Sequence, residues 1–146
     1  QDNAVPSGNA MATTVLLRLA ALTGEGRYRD AAERAMRTVI PFVARYPTGF
    51  AQWLSAMDFA LAPVVEIAIV GAPEEEGTRA LVDVAVAGFR PNQVLAVSPD
   101  PAASAIPLLA DRVAVGGAPT AYVCRDFVCR LPVTAAEALA TELARP

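Results

Sequence analysis

The sequence contains no histidine and no lysine; all 12 of its basic side chains are arginine. Two cysteines without a histidine cannot complete a four-ligand zinc site, and one pair is too few for a disulfide framework. No metal and no cofactor is expected. A reducing, cytoplasmic setting is the default expectation for so few cysteines. The abundance of alanine alongside the missing lysine points to coding bias, and little function is read from it. Positive charge is scattered and the net charge is −3. Nucleic acid and anionic membrane surfaces are therefore not expected as partners, because both require a cationic patch. Long apolar runs are also missing: Val64–Val70 is interrupted by Glu66, far short of the roughly 20 residues of a membrane span.

Other features are plentiful. A hydrophobic content of 54% over 146 residues supplies core material for one ordinary domain or two small ones. The chain begins at Gln1 without an initiator methionine and reaches a helix start almost at once, so it is expected to be the C-terminal end of a longer protein.

Helical periodicity opens the chain. Residues Asn9 to Thr23 place Ala12, Val15, Leu16, Leu19 and Leu22 at helical spacing, with apolar residues on the other sides too, which predicts a helix buried nearly all round. Ser7 or Asn9 is expected to cap it through a side-chain oxygen, and Gly24 sits where a left-handed residue would end it. Arg27 to Arg45 predicts an outer amphipathic helix, with Asp30–Arg34 and Glu33–Arg37 as i,i+4 pairs and a loosened turn at Pro41. A third helix, 49–61, would bury Phe50, Trp53, Leu54, Met57 and Leu61.

From Val64 the pattern becomes β. The β-branched run to Val70 suits a covered parallel strand, 74–87 reads as a helix and Val94–Val97 as a second strand, which together predict a βαβ crossover. Gly116-Gly117 marks a turn before a strand over Thr120–Cys124. Phe127–Leu131 could pair back onto that strand. Thr134 and Glu137 have capping-box spacing before a last helix edged by Leu139 and Leu143. The predicted fold class is α+β: a helical segment over 1–62, followed by a small α/β segment over 63–146.

Candidate chemistry is sparse. Asp2, Ser7 and Asn9 cluster before the first helix and could contact a ligand, although capping by Ser7 and Asn9 and solvation of Asp2 is the leading reading. In an unbroken strand Cys124 and Cys129 would lie about 16 Å apart, so only a tight turn could join them. Buried structural thiols are the leading reading for that pair, followed by a redox or disulfide pair and then a metal contact. The Gly71-Ala72-Pro73 turn lacks the glycines of a dinucleotide fingerprint, and Glu74, Glu75 and Glu76 would repel an anion there. Glu66 within an apolar strand requires a partner, with Arg90 or Arg112 expected.

Taken in order, the strings DNAVPSGNA, LLRLAALTGEGRYRDAAE, EIAIVG, PNQVLAV, IPLLADR and GGAPTAYVCRDFVCRLPVT span nearly the whole chain. They resemble the C-terminal part of the spermatogenesis-associated, thioredoxin-domain-containing family. That resemblance implies an N-terminal thioredoxin-like domain and an α/α toroid similar to six-hairpin glycosidases and N-acylglucosamine epimerases, with no established reaction. It implies that 9–61 supplies the end of the toroid and that the Pro6-Ser7-Gly8-Asn9 turn lies at its mouth. Those epimerases rely on histidine, which this chain lacks. The preferred function is therefore a structural segment, whose partner is the upstream part of the same protein. The second reading is part of a carbohydrate-binding or sugar-converting enzyme holding a sugar-like ligand near Asp2, Ser7 and Asn9. A third, a degenerate thioredoxin-like end at Gly117-Ala118-Pro119-Thr120, has the three leading helices and the absence of Cys-x-x-C against it, and a cis bond at Pro119 would revive it. Studied alone, the chain is expected to self-associate.

Overall fold

The computed structural model describes residues 1–125 and 128–145, and the chain forms an α+β fold of two compact units, Gln1–Pro63 and Val64–Pro146.

The first unit is helical. It comprises α1 (Gly8–Thr23), α2 (Gly26–Val43) and α3 (Ala51–Leu61), with a 3-10 turn at Pro47–Gly49. Gly24 ends α1 at φ 69°, where its N–H donates to Ala20 O at 2.9 Å. Few residues but glycine adopt that backbone without strain. Helix α1 packs against both α2 and α3. Its buried stripe is Ala10, Thr13 and Leu17, while Met11 and Val15 are 45% and 51% exposed. The all-round burial expected for α1 is thus corrected to a single covered stripe. On α2 the buried residues are Ala32, Met36 and Val43, the Glu33–Arg37 pair forms at 3.3 Å, and the helix continues through Pro41.

Helix α3 requires a larger correction. Its covered face is Trp53, Ala56 and Phe59, preceded by buried Phe50; Leu54 and Leu61, expected inside, are 41% and 87% exposed. Ala56 is fully buried on that face, whereas Leu54 turns outward. The Arg18 guanidinium lies over the Phe59 ring at 5.2 Å, and Gln52 Nε2 donates to Thr14 Oγ1 at 2.9 Å, fastening α3 to α1.

The second unit contains β1 (Val65–Val70), α4 (Glu76–Val86), β2 (Gln93–Ser98), β3 (Thr120–Arg125), β4 (Val128–Cys129) and α5 (Ala136–Leu143). The sheet order is β2-β1-β3-β4. Strand β1 runs parallel to β2 and antiparallel to β3, and β4 pairs antiparallel with β3. Alternation along the strands sends Ile67, Ile69, Ala121 and Val123 to one face, where they pack with Leu81, Ala85, Leu139 and Leu143 of α4 and α5. Tyr122 and Cys124 alternate to the other face, where buried Leu108 and Leu109 of a 3-10 turn lie against β1 and β2.

Gly71 has a packing role. A Cβ there would lie 2.2 Å from Thr78 Oγ1, so glycine lets α4 start hard against the end of β1. Gly116 and Gly117, at φ 61° and 75°, form the expected turn before β3. The capping box is not formed: the N-cap of α5 is Ala135, one residue past Thr134, and no side chain caps it. Among the described residues there is no cis peptide bond, including at Pro119, and no helix long and apolar enough to cross a membrane.

Candidate functional site

The polar cluster at the start of the chain is built around Asp2, which is buried at 9% exposure. Its N–H donates to Gly49 O at 2.7 Å, its Oδ1 accepts from Ser7 N at 2.8 Å and its Oδ2 from Gln52 N at 2.9 Å. Gln52 is the second residue of α3. The carboxylate therefore caps that helix across 50 residues of sequence while holding the turn before α1. Burial works to raise the Asp2 pKa, but hydrogen bonds from Ser7, Gln52 and Trp53 prevail and hold it below its ordinary value.

Ser7 and Asn9 do not perform the capping expected of them. Ser7 occupies the N-cap position of α1 without a side-chain cap bond; its carbonyl accepts from Met11 N at 3.0 Å. Asn9 lies inside the helix, exposed, with its carbonyl accepting from Thr13 Oγ1 at 2.8 Å. The entering backbone is held instead by Asp2, through Ser7 N. Asp2 also borders a depression of about 210 Å³ with Asn3, Pro6, Gln52 and Ser55.

A second cluster lies in the α/β unit. Cys124 and Cys129 sit opposite each other on β3 and β4, with Cα atoms 3.9 Å apart, and are joined by a disulfide. The pair is thus a cystine in place of two structural thiols. Asp126 and Phe127, in the turn between them, lie outside the described residues. Cys124 is 1% exposed whereas Cys129 is on the surface.

Arg112 reaches both sulfurs from the preceding loop. Its Nη2 lies 3.0 Å from Cys129 Sγ and 3.6 Å from Cys124 Sγ, and its guanidinium stacks 4.9 Å from the Tyr122 ring centroid. The Tyr122 hydroxyl donates to Val113 O at 2.7 Å and accepts from Val113 N at 3.3 Å. One residue of β3 thus clamps the loop backbone beside Arg112 and supports its side chain. Glu66 stands opposite Cys124 in the β1–β3 register, on the same sheet face. Arg90, one expected partner of Glu66, donates to Val84 O at 2.7 Å and Gln93 Oε1 at 3.1 Å.

Sequence reasoning missed Arg112 as a neighbour of the cysteines, and it missed Tyr122 and Glu142. The carboxylate of Glu142, buried on α5, meets Arg130 at 2.9 Å and Arg145 at 3.1 Å. Only the conspicuous placement of Arg112 between two turns could have hinted at its role. Among the described residues no group of three or more cysteine and carboxylate side chains could hold a metal ion.

Over 138 residues the chain is 28% identical to spermatogenesis-associated protein 20 of Homo sapiens and of Rattus norvegicus, and 26% identical to that of Mus musculus. The family resemblance read from the sequence is borne out. The similarity to spermatogenesis-associated protein 20 covers 92% of this chain and 18% of each relative, so the chain spans less than a fifth of the relatives' length. No family model and no solved structure matches it.

Proposed function

We propose that the chain is the C-terminal structural segment of a longer thioredoxin-domain-containing protein, with α1–α3 completing an α/α toroid and 64–146 providing an α/β platform. The observation that carries this reading is the apolar surface on the helical unit. A groove of about 250 Å³ between α2 and α3 is lined by Met36, Ile40, Met57 and Leu61, with Glu33 and Arg37 at its polar edge. Ile40 is 51% and Leu61 87% exposed, and Met11 and Val15 of α1 add further apolar surface. Relatives more than five times as long provide enough chain to cover it. Covering a fully exposed large apolar side chain contributes about 1.5–3 kcal/mol, and the half-exposed ones contribute proportionately less.

The test is to place Ile40→Arg with Leu61→Arg in two settings. In the 146-residue chain the double variant should abolish self-association seen by light scattering. In the longer protein it should lower the melting temperature of the helical region. A wild-type chain that stays a monodisperse monomer at high concentration, together with an undisturbed longer variant, would remove the basis for the reading.

A further inference from the structure

We propose that Cys124–Cys129 is a thiol–disulfide exchange site for a dithiol, with Cys129 the sulfur attacked and Arg112 the cation that holds the released thiolates. Access and charge converge on this cystine. Cys129 Sγ belongs to a surface residue on a two-residue edge strand, flanked by Val128 and Leu131 at 71% and 87% exposure. Cys124 is buried beneath it, so an incoming thiolate meets Cys129 first. A guanidinium 3.0 Å and 3.6 Å from the two sulfurs does little for a neutral disulfide but strongly favours a thiolate. Arg112 therefore stabilises the reduced pair over the oxidised one. Tyr122 maintains that placement through its ring and its two bonds to Val113. Glu66 stands opposite Cys124 in the strand register.

The exchange balances as two displacements. A thiolate of the donor attacks Cys129 Sγ, the Cys124–Cys129 bond breaks, and its electron pair leaves on Cys124 Sγ beside Arg112. The donor's second thiolate then attacks the donor sulfur of the mixed disulfide and releases Cys129 as a thiolate. Two electrons pass from the donor dithiol, which loses its two protons to the solvent and becomes a disulfide, to the cystine, which becomes the Cys124 and Cys129 thiolates.

The experiment equilibrates the full chain in dithiothreitol buffers without denaturant, quenches with acid and counts free thiols by alkylation and mass spectrometry. The wild-type bond should open while circular dichroism remains native. Arg112→Met should shift the equilibrium about tenfold toward the disulfide, ~30 mV in midpoint potential, and Arg112→Lys should recover part of the shift. Brief exposure to a monothiol should place the mixed disulfide on Cys129. Should Arg112→Met fail to fold, Cys124→Ser serves instead: thiolate absorbance of Cys129 should titrate below the ordinary cysteine value of about 8.5. A bond that opens only on unfolding, an equilibrium unmoved by Arg112→Met, a mixed disulfide on Cys124, or a Cys129 titrating at or above the ordinary value would each overturn the proposal.

Discussion

The two units satisfy their apolar surface differently. In 64–146 the sheet is covered on one face by α4 and α5 and on the other by the Leu108–Leu109 turn, and Ile67, Ile69, Leu81 and Leu139 are each 0% exposed. In 1–63 three helices share one buried seam, while Met11, Val15, Ile40, Leu54 and Leu61 stay at 41–87% exposure. The α/β unit has a core covered on both faces of its sheet and leaves apolar side chains such as Phe89 and Leu131 exposed only outside it; the helical unit has a single buried seam and apolar side chains exposed along its helices.

This contrast is best broken in the α/β core. Leu81→Ala should cost about 2–5 kcal/mol of stability in urea unfolding, because it leaves a cavity in a closed core, whereas Leu61→Ala at 87% exposure should change the same measurement by less than about 0.5 kcal/mol. Equal losses at the two leucines would erase the distinction between the units. Next in size is the disulfide. Cys124 and Cys129 are 5 residues apart, and so short a loop gives about 2 kcal/mol from chain entropy. Reducing the chain should lower stability by about that amount, as read from the unfolding midpoint with and without reductant.

A smaller effect belongs to the helical unit. Asp2→Ala removes acceptors for Ser7 N and Gln52 N and should cost about 1–2 kcal/mol, visible as earlier melting of the helical signal. Its pH dependence has a definite sign. The folded pKa of Asp2 is lowered from 3.8, so its contribution is fully present well above 3.8 and disappears as pH falls through the folded value. Wild type and Asp2→Ala should accordingly converge in stability at low pH and diverge toward neutrality; a gap independent of pH would show that the carboxylate charge is not what holds the turn.

Local chemistry made much of the fold legible. The β-branched run before Val70 predicts β1, Gly24 marks the end of α1 and Gly116-Gly117 the turn before β3, since each depends on residues adjacent in sequence. What escaped depends on distance. The covered face of α3, Trp53, Ala56 and Phe59, is set by its packing against α1, a partner distant in sequence. Asp2 caps a helix 50 residues away. Thr134 has the right spacing but lies one residue outside the N-cap. At the cystine, Arg112 acts across 12 and 17 residues, which spacing within the Cys124–Cys129 motif could not reveal.

The most direct measurement is native-state hydrogen exchange on the 146-residue chain and on the longer protein, compared residue by residue. Amides of β1, β3 and α4 should be equally protected in both, and those of α1–α3 should gain protection by about a factor of ten or more in the longer protein, equivalent to about 1.4 kcal/mol of added local stability. Helical amides already as protected in the shorter chain as in the longer would contradict a helical unit that relies on the rest of a larger protein.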